Sequence, residues 1–365
     1  MDSETAELVC LAEGAERYCA DARGGDDNVW ALEGDLSGRV LDMGSLPHCS
    51  AREHADPLCP IRKYDPSQPI RWVQGIDLIR SDPCWVPAIL ASYRRRARTA
   101  NERFHFPIST GYAVHSGLCA ATCNAILEVV ERDAVAVTWL QMMSLPAVDT
   151  SLLDEPTRRA VDWLENNFMY PRLLDATTDL GIPIVIAVLD APFDTAMRTS
   201  IACAAGRSLT QAAEKAVREL LPQAIGRSAA IAAPLSPDGI KDPLDGARYM
   251  GIGSRRHAFD FLSVGASSAG LLRDRLPDDP SELLTVLRER LSACGMAAAV
   301  VDMTTRELRD AGLCAVNVVI PQLQPVSFWP KAQFLAHPRL YQLPAALGHP
   351  VRNEEDLNPW PQPLP

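Results

Sequence analysis

Apolar residues recur along the chain with two different periods, which predict helices and strands in alternation. Helical spacing predicts helices near residues 4–20, 118–143, 155–168, 210–221 and 280–293, and a short helix between Thr304 and Gly312. Short β-branched runs predict strands at 182–190, 297–302 and 313–320, and a strand pair over 71–90 that turns at Ser81 to Pro83. This alternation predicts an α+β or mixed α/β fold, in which helices flank layered β-sheets.

The length allows either one large domain or two domains. No low-complexity linker divides the chain, so the sequence favours a single domain over residues 1–365 with a proline-rich tail at 351–365. The last 45 residues hold 10 of the 29 prolines, and we expect neither a helix nor a central strand there.

The amino-acid composition indicates which classes of partner the protein can bind and in which cellular compartment it is expected. The chain has 35 Lys and Arg against 46 Asp and Glu, a formal net charge of -11, which argues against nucleic-acid and membrane partners. A local basic pocket for phosphate is still compatible with that charge. The acidic start does not resemble a signal peptide, and no apolar run reaches the roughly 18 residues of a spanning helix. We therefore predict a cytoplasmic protein whose ten cysteines are free thiols.

Several common catalytic motifs do not occur in the sequence. There is no P-loop, no Gly-x-Gly-x-x-Gly after a strand, no His-Glu-x-x-His and no Gly-x-Ser-x-Gly. The seven histidines are scattered, and the adjacent pair His115 and Ser116 does not by itself predict a nucleophile. No Ser/His or Cys/His spacing in the sequence therefore predicts a catalytic nucleophile.

One short pattern, Glu-x-x-Glu-Arg, occurs twice on predicted helices. Its glutamates are Glu13 and Glu16 in the first copy, and Glu128 and Glu131 in the second. A spacing of three residues places each pair on one helix face, where like charges repel. The neighbouring residues are apolar, and carboxylates in such surroundings are costly unless a cation or arginine compensates them. A solvated charged helix face is the alternative explanation.

A hard cation would explain both copies. Carboxylate oxygens suit Mg²⁺, which commonly shares its ligands with substrate phosphates. We therefore predict that the four glutamates bind magnesium, and that Arg17 and Arg132 balance charge or contact phosphate oxygens. A third helix, after Gly206, adds candidates for a phosphate pocket, although its charges also fit a solvated face. These candidates are Arg207, Lys215 and Glu219.

Five segments together resemble the YcaO family, in order and in spacing, over residues 7–365. The central one, ISTGYAVHSGLCAATCNAILEVVERDAVAVTWL, resembles the family's Ser-Asn-Gly stretch and its Glu-x-x-Glu-Arg-Asp-Ala helix, and contains the further nucleotide-site candidate Ser116. The others are RWVQGIDLIRSDPCWVPAIL, AAGRSLTQAAEKAVREL, VVDMTTRELRDAGLCAVNVVIPQLQPV and the terminal DLNPWPQPLP. The resemblance implies a YcaO-type fold that lacks the family's N-terminal segment.

The resemblance also implies a function. The family binds ATP and Mg²⁺ through glutamates of the two Glu-x-x-Glu-Arg helices and phosphorylates a peptide amide oxygen. Members with a Pro-x-Pro-x-Pro end are mostly cyclodehydratases of ribosomal peptide natural products. In these, a substrate Cys, Ser or Thr attacks the preceding amide carbonyl, and loss of phosphate leaves a thiazoline or oxazoline. Here that end is Pro361, Pro363 and Pro365, which the resemblance assigns to the catalytic site.

The implied partners are a ribosomal precursor peptide and a separate protein that recognises it. A flavin-dependent dehydrogenase in the same complex is a further candidate, and the chain is expected to form a homo-oligomer. Two related reactions stay open as alternatives, thioamide formation and macroamidine formation. A degenerate, non-catalytic scaffold subunit is the alternative from another class.

The chain departs from the family pattern at several polar positions. Cys10 stands where a Ser is usual, Thr110 replaces an Asn, Ala120 replaces a Glu, and Pro222 stands where Gln is common. The family also has tens of residues before its first Glu-x-x-Glu-Arg helix. Three explanations stay open. The assigned start codon lies too far downstream, the nucleotide site has diverged, or another subunit contributes to that site.

Overall fold

The computed structural model describes residues 3–22, 28–226, 233–234, 236–240, 242–262 and 275–364. The chain forms two compact units, each built from two stretches of sequence. The first unit is Met1–Val129 with Pro277–Leu323, and the second is Val130–Leu276 with Gln324–Pro365. The single domain over 1–365 stays a prediction, because a compact unit is not in itself an independently folding domain.

Strands and helices alternate along the described residues. The strands are β1 (Val29–Ala31), β2 (Arg39–Val40), β3 (Ile70–Asp77), β4 (Asp82–Pro87), β5 (Tyr112–His115), β6 (Tyr170–Asp175), β7 (Ile184–Asp190), β8 (Thr199–Ala205), β9 (Ala299–Asp302) and β10 (Cys314–Val319). The α-helices are α1 (Ser3–Ala22), α2 (Ala51–Ala55), α3 (Leu118–Leu140), α4 (Glu155–Asn166), α5 (Leu209–Ile225), α6 (Pro243–Gly251), α7 (Pro280–Ala293), α8 (Arg306–Asp310) and α9 (Arg339–Ala346).

The first unit is organised around a seven-stranded sheet. Its order is β2-β4-β3-β9-β10-β5, and β1 pairs with β3. All pairs are antiparallel except β2 with β4. Ser81 makes the predicted turn between β3 and β4 with a positive φ of 60°. The fully buried Trp72 anchors the core of this unit, which also takes in residues from α1, β9 and α8.

The second unit contains a three-stranded antiparallel sheet in the order β6-β7-β8. Helices α4 and α5 pack with this sheet. Helix α5 buries the small residues Ala212, Ala213 and Ala216 completely. Small side chains let a helix backbone approach a sheet closely, so α5 begins close to the end of β8.

Helix α3 is apolar on nearly all sides, which is typical of a buried helix. Ala121, Ile126, Val130 and Val137 are each fully buried along its length. Within the described ranges, no helix is both long and apolar enough to cross a membrane.

The structure confirms the mixed α/β class and the predicted helices and strands, with ends shifted by a few residues. One expectation was wrong, because α9 lies within the last 45 residues and contains Pro344. The missing N–H of one proline removes one helical hydrogen bond, whereas Leu340 and Leu343 are buried by the two turns of α9. A short 3-10 helix, Glu354–Asp356, also lies in the proline-rich tail.

Candidate functional site

Glu128 is held by the backbone of the loop before β5. Its Oε2 accepts a hydrogen bond of 3.0 Å from the N–H of Gly111. Gly111 has a φ of +90°, and a side chain there would collide with the carbonyl oxygen of Val318. Only glycine suits this position, and its N–H fixes one oxygen of the Glu128 carboxylate.

Glu16 on α1 is the second carboxylate of this cluster in the first unit. Burial raises its pKa from 4.5 to about 7, and the negative charge of Glu128 adds to the rise. Arg17 opposes the shift, and Glu13 adds to it. Two carboxylates that disfavour each other's ionisation create a place where a divalent cation is stabilised.

Glu13 and Arg17 are the more exposed members of the first motif. The guanidinium carbon of Arg17 lies 5.6 Å from the ring centroid of Tyr93. A hydrogen bond with the Tyr93 side chain raises the pKa of Arg17. Arg17 is therefore engaged with an aromatic ring as well as with the carboxylates beside it.

Glu131 lies in the second unit and is buried, with 8 % of its surface exposed. Its Oε2 accepts a hydrogen bond of 2.9 Å from the N–H of Ala205, at the end of β8. Its Oε1 lies 3.5 Å from Nη1 of Arg132. Burial raises the pKa of Glu131, whereas Arg132, the Ala205 N–H and Lys215 lower it.

Lys215 binds the other side of the same peptide segment. Its Nζ donates a hydrogen bond of 3.2 Å to the carbonyl oxygen of Ala205. Burial lowers the pKa of Lys215, while Glu131 and Glu219 raise it and Arg207 lowers it. The backbone of Ala205 thus binds the Glu131 carboxylate through its N–H and the Lys215 ammonium group through its carbonyl oxygen.

The sequence from Gly206 to Gln211 explains how α5 begins beside this cluster. Ser208 is the N-cap, and its side chain accepts a hydrogen bond from the N–H of Gln211. A Cβ at Gly206 would lie 2.6 Å from the nitrogen of Ala212, so glycine permits the close approach. The N–H of Arg207 donates to Oε1 of Gln211 at 2.7 Å.

Two further residues predicted to contact the nucleotide, Ser116 and Glu219, are exposed. Ser116 is exposed between β5 and α3, with its Oγ 3.4 Å from Nδ1 of His115. Glu219 is exposed on α5. The structure thus brings together Glu16 with Glu128, and Glu131 with Arg132 and Lys215, in their separate units.

The proline-rich tail is buried within the second unit rather than free. Pro361 and Pro363 are buried, and Pro365 lies outside the described residues. The carbonyl oxygen of Trp360 accepts a hydrogen bond of 2.9 Å from Nε1 of Trp139, and Gln362 donates one of 2.7 Å to Gln333. These bonds hold the tail in one path, and the catalytic role of its prolines stays a prediction.

Sequence reasoning missed a buried charge network two residues beyond Glu131. Asp133 is completely buried and accepts a hydrogen bond of 2.8 Å from Nη2 of Arg339 on α9. Arg339 also donates two bonds of 2.8 Å to Asp179. The one signal of this network in the sequence is an aspartate inside an apolar helix, because its partners Arg339 and Asp179 are far away along the chain.

The residues present fit Mg²⁺ shared with phosphates rather than a closed cage of protein ligands. Among the described residues, no group of three or more His, Cys, Asp or Glu is arranged to hold a metal ion. Magnesium typically takes only one or two carboxylates and completes its shell with water and phosphate oxygens. In the first unit, Glu16 and Glu128 supply such a pair. In the second unit, taken by itself, Lys215 and Arg132 are cations of the kind that suits phosphate oxygens.

The positions that depart from the family pattern have ordinary packing. Cys10 is exposed on α1, and Ala120 is buried at the start of α3. Pro222 lies inside α5, and the neighbouring Gln223 donates a hydrogen bond of 3.1 Å to the carbonyl oxygen of Ile201. These three departures are therefore accommodated without disrupting the helices that carry them.

Comparison with known proteins gives one curated relative, an uncharacterized protein in the tfuA 3' region of Rhizobium leguminosarum bv. trifolii. It is 27% identical over 195 residues, which is 52% of this chain and 43% of the relative. The chain therefore spans less than half the length of that protein.

Two solved structures are similar over most of the chain. A heterocyclase in complex with substrate and cofactor is 25% identical, with a TM-score of 0.82, over 97% of this chain and 48% of that one. YcaO from Methanopyrus kandleri, bound with AMPPCP and Mg²⁺, is 18% identical, with a TM-score of 0.65, over 87% of this chain and 76% of that one. The second likeness concerns the fold alone.

A family profile gives the assignment. The profile described as YcaO cyclodehydratase, ATP- and Mg²⁺-binding, matches residues 1–324. That match covers most of the sequence and agrees with the fold shared with the two solved structures. ATP and Mg²⁺ are accordingly the cofactors that go with this assignment. The chain belongs to the YcaO family.

Proposed function

We propose that this chain is an ATP- and Mg²⁺-dependent cyclodehydratase that activates backbone amides of a ribosomal precursor peptide. The observation that carries the proposal is the pair of anchored carboxylates on α3. Glu128 is bound by the Gly111 N–H and Glu131 by the Ala205 N–H, inside a chain of the ATP- and Mg²⁺-binding family. Such fixed carboxylates are what a metal-bound nucleotide requires.

In the first unit, we assign magnesium binding to Glu16 and Glu128, with Glu13 as an outer contributor. The raised pKa of Glu16 reflects burial and its proximity to Glu128, and a divalent cation would relieve both effects. Arg17, which faces Tyr93, is assigned to balance charge at the rim of this cluster.

In the second unit, we assign contacts with phosphate to Lys215, Arg132 and Arg207. Glu131, between Arg132 and Lys215, sets their positions and is also available to a metal ion. Bound Mg·ATP would supply the phosphoryl group that turns the amide oxygen into a leaving group. The protein residues hold and orient the phosphates and need no nucleophile of their own.

The substrate supplies the nucleophile in this proposal. A Cys, Ser or Thr side chain of the precursor would lose its S–H or O–H proton to solvent and attack the preceding carbonyl carbon, and the carbonyl oxygen would take the terminal phosphoryl group of ATP. The amide N–H proton and the phosphorylated oxygen then leave, giving a thiazoline or oxazoline, ADP and phosphate. A separate protein would recognise the precursor, and a flavin-dependent dehydrogenase would oxidise the ring to an azole.

The direct test combines the purified chain with its precursor peptide, the recognition protein and Mg·ATP. We expect phosphate release together with loss of one water mass for each ring formed. Glu128→Gln and Glu131→Gln should each abolish both signals, whereas Glu155→Gln, an exposed glutamate on α4, should leave both unchanged. Full activity of the Glu128 and Glu131 variants would contradict the assigned roles.

The departures at Cys10, Thr110, Ala120 and Pro222 favour one second candidate, a scaffold subunit without catalytic activity. Titration calorimetry with AMPPCP and Mg²⁺ separates the two functions. Binding that depends on Glu128 supports the enzyme, while absence of binding in the full complex supports the scaffold. Adding sulfide or an amine nucleophile to the same assay distinguishes thioamide or amidine products from azolines.

A further inference from the structure

A cleft in the first unit is lined by residues outside the two Glu-x-x-Glu-Arg motifs. It has a volume of 480 Å³ and is formed by segments around Glu33, residues 43–49, His54, residues 61–66 and Phe104. Among the described residues that line it, none belongs to a Glu-x-x-Glu-Arg motif. The volume lies within the range of sites that bind small ligands or short peptide segments.

The floor of the cleft is apolar. Met43, Leu46, Pro47, Ile61 and Phe104 all line it and are all buried. An apolar side chain of a ligand would bury its surface here and be stabilised by the hydrophobic effect.

The rim carries positive charge. Arg62 and Lys63 line the cleft and are exposed, and neither forms a salt bridge with a carboxylate anywhere in the described ranges. Glu33 is the opposing charge, and it lies beside Tyr64, whose pKa is raised by burial and then by Glu33. Two unpaired cations in a chain of net charge -11 mark a local site for an anionic group.

Two histidines complete the rim. Burial lowers the pKa of His48 and of His54, and Lys63 and Arg62 lower that of His54 further. Neutral imidazoles offer hydrogen bonds to a carboxylate without repelling it.

The walls are fixed before any ligand binds. Ser50 and Glu53 form a capping box at the start of α2. The N–H of Arg62 donates to the carbonyl oxygen of Arg103 at 2.9 Å, and Asn101 accepts from Asp65 and donates to it. A preorganised wall reduces the ordering entropy that binding would otherwise cost.

We propose that this cleft binds a short acidic peptide segment, which places an apolar side chain on the floor and a carboxylate against Arg62 and Lys63. This inference rests on the proposed function, since the segment would belong to the precursor peptide. A nucleotide fits less well, because the floor is apolar and α2, with five residues, offers no extended helix N-terminus for phosphates. The cleft would therefore hold the substrate through residues other than the glutamates assigned to Mg·ATP.

The test uses a fluorescein-labelled pentapeptide of leucine and glutamate and measures fluorescence anisotropy without nucleotide. We expect Lys63→Glu and Arg62→Glu each to weaken binding at least tenfold, and an analogue with glutamine in place of glutamate to bind as weakly. Arg309→Glu reverses an exposed charge on α8 in the same unit and should leave binding unchanged. Thermal unfolding confirms that each variant is folded.

Equal binding of the peptide to wild-type protein and to Lys63→Glu would overturn the inference, as would equal binding of the glutamine analogue. Preference for a labelled ATP over the peptide at this site would also overturn it. The assay is separate from turnover. If rings still form although the acidic peptide does not bind, only the proposal about the cleft is refuted. If the peptide binds but no ring forms in the full complex, only the proposed function is refuted.

Discussion

At the scale of single residues, the candidate site depends on backbone groups as much as on side chains. The N–H of Gly111 holds Glu128, and the peptide of Ala205 holds Glu131 and Lys215. The sequence predicted the glutamates from their spacing. It did not predict these anchors, because a backbone N–H carries no sequence signature and is brought into place by β5 and β8.

Glu16 predicts a specific dependence of stability on pH. Its folded-state pKa of about 7 lies above its usual 4.5, so between those values the folded chain holds the extra proton. Ionisation therefore lowers stability progressively as pH rises through this window. We expect Glu16→Gln to melt at a higher temperature than wild type at pH 8 and at the same temperature at pH 4.

Thermal unfolding at both pH values provides the measurement. Magnesium with AMPPCP at pH 8 should raise the melting temperature of wild type more than that of Glu16→Gln. Glu13→Gln, at a more exposed position, serves as the control and should show a smaller pH effect. An equal melting difference at pH 4 and pH 8 would be inconsistent with a raised pKa.

We expect alanine to affect stability and nucleotide binding at Gly111 but not at Gly117. Gly111→Ala would place a methyl group against the carbonyl oxygen of Val318 at a φ of +90°, and would displace the N–H that binds Glu128. We expect a loss of about 1–3 kcal/mol in unfolding free energy, together with loss of AMPPCP binding. Gly117→Ala has open space around its Cβ and should retain both properties.

Urea denaturation and calorimetry give these two quantities. If Gly111→Ala kept wild-type affinity for the nucleotide, the Gly111 contact would not position Glu128.

At the scale of elements, the sequence predicted long helices better than short strands. Helix α3 was found from its apolar residues, and α7 was predicted at its observed ends. The strand β8, TSIACAA, was missed because its small residues lack the β-branched signature, and β6 was missed because it contains Pro171. Both form because hydrogen bonds with β7 outweigh weak local preference.

The buried network between α3 and α9 predicts a large effect of one substitution. Arg339→Met would leave the carboxylate of Asp133 buried without its cation, since this side chain is 0 % exposed. We expect a loss of about 3–5 kcal/mol in the free energy of unfolding. Urea denaturation at neutral pH measures it.

The pair Arg159 and Glu155 on α4 provides the matched control. Their side chains are 69% and 71% exposed, and Arg159→Met should cost less than about 1 kcal/mol. Similar losses for both substitutions would mean that the buried network adds little to the stability of α3 and α9.

At the scale of the whole molecule, compact units are assembled from distant stretches of sequence. The second unit combines Val130–Leu276 with Gln324–Pro365. In the tail, the side-chain amide of Asn358 donates a hydrogen bond of 3.1 Å to the carbonyl oxygen of Trp139, and its backbone N–H donates one of 2.9 Å to that of Leu140. These two carbonyl groups are the last of α3. Local patterns do not reveal such pairings. This explains why the sequence predicted the class of fold but neither the cleft nor the burial of the tail. The magnesium-binding role of the glutamates stays a prediction.

Removal of the tail therefore predicts a loss of stability. A chain that ends at Leu357 loses the Asn358 contacts and the bond from Trp139 to Trp360. We expect a lower melting temperature and exposure of Trp139, visible as a red shift of tryptophan fluorescence.

The bond from Gly111 to Glu128 and the bonds to Ala205 have a consequence for how this sequence diverges. Because the carboxylates of α3 are fastened to main-chain groups, neighbouring side chains are free to vary without loosening them. Thr110 can replace asparagine beside Gly111 and leave that attachment intact. Saturation mutagenesis should therefore find that many substitutions are tolerated at position 110 and almost none at position 111. Substitutions that accumulate around the glutamates would then leave the positions of their carboxylates unchanged.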